Sequence, residues 1–221
     1  MAELTVDRER DAIIVVDLQP DFMPGGALPI AGGDAVVTPI AALLRQGLVR
    51  TVVATQDWHP EGHISFASSH AGRGPGETVE IHGGQAQTLW PDHCVQGTAG
   101  AELHAALPLE PISAIVRKGQ EQAIDSYSAF RDNLGPRNLR KETGLSGYLR
   151  ARGIRRALLC GLALDVCVAW TAFDAVEMDF QAVLLRDLAR PVSTAGERDA
   201  LDKLTRAGVT VAESRDLRAG P

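Results

Sequence analysis

Residues 11–17, DAIIVVD, constrain this chain more than any other stretch. The run is aliphatic from end to end, with no polar alternation, so it fits a strand covered on both faces. Such strands belong to parallel sheets flanked by helices. Similar short runs recur at 51–55, 112–116, 155–160, 181–185 and 209–211, and 3.6-residue periodicity occupies 34–46, 144–152, 165–177 and 193–206. Asp34 is expected to cap the first of these helices, and Gly161 to break the fourth strand. Strand and helix in alternation predict a three-layer α/β/α fold, Rossmann-like, with an open, six-stranded, mainly parallel sheet and right-handed crossovers. At 221 residues, a single domain over 1–221 is expected.

One interval breaks the alternation. About fifty-five residues separate the second and third strands, far beyond an ordinary connection. This insertion, about 57–111, is rich in Gly and Pro and carries all six histidines, with one helix expected at 99–107. Elaborated loops of this kind carry function more often than core.

Composition narrows the partners. A net charge of −6 argues against nucleic acid, and the basic stretch 131–156 reads as a solvated face. No apolar stretch approaches membrane-spanning length, so no membrane partner is expected. The charged N-terminus lacks the apolar core of a signal peptide, and the three scattered cysteines form no CxxC. Both point to a cytoplasmic protein. A homo-oligomer is left open.

Open α/β sheets bind ligands at the carboxyl ends of their strands. Here those ends carry Asp17, then Asp57 with His59, then Lys118, and Cys167 just past the fourth strand. Cys167 falls in the first turn of a helix, where unpaired N–H groups favour a thiolate and offer an oxyanion site. That set suits acyl transfer through a thioester, with Asp17 moving the proton and Lys118 stabilising sulfur. Cys94 and Cys160 read as core thiols. Val166, Cys167, Trp170 and Phe173 are expected to share one apolar helix face. Asp57, His59 and His93 form a two-histidine, one-carboxylate set with open positions for a divalent metal. His63 is expected behind that set rather than in it, and His70, His82 and His104 as surface or hydrogen-bonding residues.

The motifs VDLQPDFMPGGAL, TQDWHPEGHISFASSH, LWPDHCVQGTAGAELH, VRKG with DSYSAF, and GLALDVCVAWTAFDA occur in that order from about residue 11 to 187. Together they resemble the nicotinamidase signatures of the isochorismatase-like cysteine hydrolases. The resemblance implies hydrolysis of nicotinamide to nicotinate and ammonia in NAD salvage, with pyrazinamide a second substrate. It implies Asp17, Lys118 and Cys167 as the catalytic set, and Asp57, His59 and His93 as ligands of one divalent ion, zinc first, iron or manganese otherwise. It further implies Phe22, Trp90 and Tyr127 as aromatic pocket walls. A cis peptide is implied before Ala163, whose N–H would join that of Cys167 in an oxyanion hole. Leu164 and Pro20 depart from the family's frequent Thr and Asn. The alternative is a sibling hydrolase of a carbamoyl or ureido compound. An iron oxygenase would use the same metal set on a jelly roll, which the alternating pattern opposes. A small-molecule binding domain without catalysis would not need a Cys, a Lys and an Asp at separate strand exits.

Overall fold

The computed structural model describes residues 3–220. Its strands and helices are β1 (Leu4–Val6), β2 (Asp11–Val16), α1 (Val37–Arg45), β3 (Thr51–Asp57), β4 (Thr78–Ile81), β5 (Gln85–Thr88), β6 (Ala114–Lys118) and α2 (Leu145–Ala151). The chain continues through β7 (Arg156–Leu162), α3 (Ala169–Glu177), β8 (Gln181–Arg190), α4 (Thr194–Arg206), β9 (Thr210–Ala212) and β10 (Leu217–Ala219).

The central sheet has six strands in the order β6-β3-β2-β7-β8-β9, every pair parallel. All six residues of β2 are buried. Their alternation sorts them between two cores. Ile13 and Val15 pack with Val37, Ile40 and Leu44 of α1 on one face. Ala12, Ile14 and Val16 pack on the other with Leu149 of α2, Ala172 of α3 and Leu204 of α4. This is the three-layer arrangement that an aliphatic central strand demands. Strand order reverses at β2 and β7, so the residues following these two strands share the crevice where such sheets bind ligands.

Gly161 does not end its strand. It lies inside β7 at φ +112°, and a Cβ there would run into the backbone of Val16 on β2. Glycine is present because another backbone approaches closely. The pairing of β7 with β8 shifts register between Leu159 and Gly161, and β8 continues past Leu185, where the apolar run stops, to Arg190.

Other expectations are corrected. Asp34 makes no capping bond: it opens a 3-10 turn, Asp34–Val36, that leads into α1. The third strand is displaced two residues onward, to Ala114–Lys118, so Lys118 is the last residue of the strand. The expected helix at 99–107 reduces to a 3-10 turn, Ala99–Ala101. There the Ala101 carbonyl accepts from Gln19 Nε2 (2.8 Å) and Gln56 Nε2 (3.0 Å), and His104 N–H donates to Leu18 O (2.8 Å). Backbone groups engaged by the rest of the fold are not free to close helical bonds. Cys167 sits in a π-helical turn, Leu164–Val168, that precedes α3. The core face of α3 is Ala169, Ala172 and Ala175, while Trp170 is 42% exposed and packs edge-on against Phe173. The basic stretch is only partly a solvated face, because Arg131 and Arg140 pair with the buried Asp174.

Two small sheets lie outside the pattern the sequence displays. β4 and β5 form an antiparallel hairpin within the insertion, and β1 pairs in parallel with β10. No helix among the described residues is long and apolar enough to cross a membrane.

Candidate active site

The β3–β6 register places Asp57 directly beside Lys118, and β2, next to β3, delivers Asp17 one residue past its end. The three side chains meet with Cys167 in a buried cluster. Lys118, 1% exposed, is its centre. Its Nζ lies 2.9 Å from Asp17 Oδ2, donates to Asp57 Oδ1 and to the Ser126 carbonyl (3.0 Å), and reaches Cys167 Sγ at 3.4 Å. Carboxylate oxygens of Asp17 and Asp57 and the Cys167 sulfur all lie within 4.8 Å of one another. Asp17 is fully buried with φ +46°. Thr55 Oγ1 accepts from its N–H (3.0 Å) and donates to its Oδ1 (2.5 Å). Oδ2 faces Lys118 and has no further hydrogen bond, so it keeps a lone pair for a proton.

The two carboxyls are pushed apart by their surroundings. Burial raises Asp17, and Asp57 adds to this against the pull of Lys118. Burial also opposes the charge on Asp57, but Lys118 and then His59 outweigh it and hold that carboxyl well below its usual range. Lys118 is held protonated, because Asp17 and Asp57 overcome its desolvation. Cys167 departs from the expectation drawn from its place in the chain. Burial pushes its thiol up, Lys118 pulls it down, and the two carboxylates push it further up. Two acids beside one lysine already leave the cluster negative, so a resting thiolate would add uncompensated charge.

The metal-type set stands against this cluster. Asp57 Oδ2 lies 3.6 Å from His59 Nε2 and 3.7 Å from His93 Nε2. His59 Nδ1 pairs with the Gly119 carbonyl (3.0 Å) and His93 Nδ1 with the Pro91 carbonyl (2.8 Å). A carbonyl only accepts, so each Nδ1 carries a proton and each Nε2 is left facing Asp57 Oδ2. Three converging donor atoms, all buried, suit a divalent cation. His63 has both ring nitrogens engaged, with Ser65 Oγ (2.7 Å) and Ile124 O (3.1 Å), and stacks on His59 at 4.1 Å. Burial, then His59, pushes it down to about 4, so it is neutral. His70 and His82 bond backbone carbonyls, and His104 Nδ1 accepts from Ala106 N–H.

Gly119, directly after Lys118, ties the two sets together. Its φ is +65°, and a Cβ there would overlap the His59 ring. Gly119→Ala is expected to displace His59 and weaken binding of added zinc by about tenfold or more, as measured by competition with a chelating dye.

A cavity opens in front of Cys167. Phe22, Trp90 and Tyr127 wall it, Ala163 lines it, and the Asp57–His59–His93 set borders it. Trp90 Nε1 donates to Tyr127 OH (3.4 Å). The Leu162–Ala163 bond is cis, and the Ala163 carbonyl accepts from Val166 N–H (3.1 Å) and Val168 N–H (3.0 Å), fixing the turn that carries Cys167. Leu164 is fully buried in the core beneath α3. The ten residues given catalytic, oxyanion, aromatic or metal roles from the sequence therefore line this one cavity or meet at its back wall.

Residues 11–216 match the family model described as the isochorismatase domain. The chain belongs to the isochorismatase family. A curated nicotinamidase from Acinetobacter baylyi is 42% identical over 98% of this chain and 99% of its own length. Among solved structures, PnC1 from L. infantum in complex with nicotinate superposes at TM-score 0.85, with 42% identity and complete coverage of both chains. The pyrazinamidase of Pyrococcus horikoshii in complex with zinc superposes at 0.74, with 36% identity over 92% of this chain and 99% of that one.

Within this isochorismatase-family chain, several supporting residues were not singled out from sequence. Gln19 bridges β2 to β3, accepting from Asp57 N–H (2.8 Å) and donating to Asp57 O (2.9 Å). Buried Asp125 accepts from Gln87 Nε2 (2.7 Å) beside Tyr127. Both residues lie inside motifs already conspicuous, VDLQPDF and DSYSAF. A polar residue flanked by candidate catalytic ones was the available signal.

Proposed function

We propose that this chain hydrolyses nicotinamide to nicotinate and ammonia through a Cys167 thioester, and that pyrazinamide, whose ring differs by one nitrogen, is also a substrate. The observation that carries the reading is the single buried lysine touching Asp17, Asp57 and Cys167, with three metal-type donors next to it. The curated and solved relatives named for nicotinamide and pyrazinamide hydrolysis support the substrate class.

Each step uses groups already in place. Phe22, Trp90 and Tyr127 hold the planar ring, so the amide carbon lies against sulfur and the encounter becomes effectively intramolecular. Asp17 Oδ2 takes the thiol proton as sulfur bonds to the carbonyl carbon. Lys118 offsets the negative charge that passes between sulfur and Asp17. The carbonyl oxygen gains negative charge, which the N–H groups of Ala163 and Cys167 stabilise. Asp17 then returns the proton to the amide nitrogen, the C–N bond breaks and ammonia leaves. A water molecule gives a proton to Asp17 and attacks the thioester carbon, the C–S bond breaks, the proton returns to sulfur, and the product acid gives up its carboxyl proton to water to depart as nicotinate. Asp57, His59 and His93 would hold a divalent ion, zinc in first place, with iron or manganese fitting the same donors. Bound there, the ion would supply Lewis-acid chemistry for positioning the ring of the substrate. The three cysteines, all buried and free, suit the reducing cytoplasm.

Purified protein given nicotinamide should release ammonia and nicotinate in equal amounts, measured by an ammonia-coupled assay and chromatography. Chelation should lower turnover about 100-fold or more, and zinc, iron or manganese should restore it. Absence of ammonia from nicotinamide in metal-restored protein would reject the reading in favour of another small amide.

A further inference from the structure

We propose that Thr171 and Asp174 are positioning residues: through them the helix that follows Cys167 sets where Tyr127 and the Ser126 carbonyl stand in the pocket. The inference rests on the cysteine-hydrolase reading above.

Cys167, Thr171 and Asp174 are spaced i, i+4 and i+7, so they project from one side of the helical segment. Neither Thr171 nor Asp174 touches the reacting groups, and both are essentially fully buried. Thr171 Oγ1 donates to the Cys167 carbonyl (2.7 Å) and accepts from Ala129 N–H (3.0 Å). One hydroxyl thus joins the backbone of the nucleophile to the segment after β6. A turn further on, Asp174 receives both Nη atoms of Arg140 (2.8 and 2.7 Å) and Nη2 of Arg131 (2.5 Å). Arg140 Nε also donates to Asp132 O (2.9 Å), closing the clamp on the same segment.

That segment carries two pocket groups just before the clamp. Ser126 O accepts from Lys118 Nζ, and Tyr127 walls the cavity. Within the segment their bonds are local: Ser126 N–H bonds its own neighbour Asp125 (2.8 Å), Tyr127 N–H reaches Asn133 Oδ1 at 3.4 Å, and Asn133 N–H returns to Asp125 O (2.8 Å), so none of them fixes the loop against the helix that carries Cys167. The first short backbone N–H bond from this stretch to α3 is Ala129 to Thr171. A buried carboxylate with two guanidiniums is a poor source of net stability but a strict geometric constraint. Its register use here is to keep the aromatic wall and the lysine aligned with sulfur.

The test uses the metal-loaded full chain and nicotinamide. Thr171→Val keeps shape and removes both hydroxyl bonds. It should raise KM as well as lower kcat, with kcat/KM falling about tenfold per active site counted by stoichiometric alkylation of Cys167. Thr171→Ser, which keeps the oxygen, should return kcat/KM to within about twofold of the parent. A role limited to stability would lower the active fraction and leave KM unchanged, and that result would overturn the inference. Should Thr171→Val fail to fold, Arg140→Gln carries the same test from the loop side: KM should rise, and an unchanged KM overturns the inference. A parent protein inert toward nicotinamide would instead overturn the hydrolase reading itself, a distinct failure.

Discussion

Replacing Cys167 with alanine should lower nicotinamide turnover by at least about 10⁴-fold while leaving the fold intact. The sulfur is the only nucleophile facing both Lys118 and Asp17 among the described residues, and the thioester route has no substitute for it. The side chain is small and buried among Ala169, Val168 and Leu164 on a helix start, so its loss removes little apolar volume. Thermal unfolding should therefore change by only a few degrees. Metal content should stay at the parental ratio, since sulfur is not in the Asp57–His59–His93 set. The checks are steady-state ammonia release, a melting curve and metal analysis on one preparation. Parental turnover by the alanine variant would remove the cysteine from the mechanism.

Lys118→Met should have the largest effect on stability, a loss of about 3–5 kcal/mol in urea unfolding, together with loss of turnover. The substitution keeps the length and removes the cation between two carboxyls that are 0% and 4% exposed. Asp17 and Asp57 would then face each other unpaired, and the Ser126 carbonyl would lose its donor. The penalty comes from the orphaned charges more than from the lost attraction. A double variant, Lys118→Met with Asp17→Asn, should recover much of the stability and none of the activity. That combination is decisive because it separates buried charge from catalysis in a double-mutant cycle. Additive losses in the double variant would show that the lysine acts chiefly by packing.

The strands and the reactive residues at their ends were legible because one force wrote both signals. A strand buried on two faces must be aliphatic, and it stops being so where it meets solvent or a site, which is why Asp17, Asp57 and Lys118 stand out as endpoints. Cys167 was legible from its place after such a strand, but its acidity was not. Position suggested a lowered thiol, whereas burial and two nearby carboxylates raise it, and their approach depends on residues far apart in sequence. The hairpin of β4 and β5 was invisible for a related reason. TVEI and QAQT are short, mostly polar and largely outside the core, so burial leaves no pattern in them. The pairing of Leu4–Val6 with Leu217–Ala219 joins the two ends of the sequence, which local periodicity does not encode. The false helix at 99–107 had the right composition, and its Ala101 carbonyl was claimed by both Gln19 and Gln56.

The adjacency of Asp57 and Lys118 comes from their places on one ladder, not from side-chain flexibility. Sheet pairing moves only in whole residues, and a shift by one turns every side chain of the strand to the opposite face. The spacing of Asp57 and Lys118 is therefore digital: the main chain holds the correct value or a grossly wrong one, with no intermediate setting to drift into. Mutational drift at the positions of β3 and β6 other than Asp57 and Lys118 can erode how long the molecule survives, yet each surviving molecule should work at full rate. Loss of activity in such variants would be a falling census of intact copies rather than a slackening of every copy.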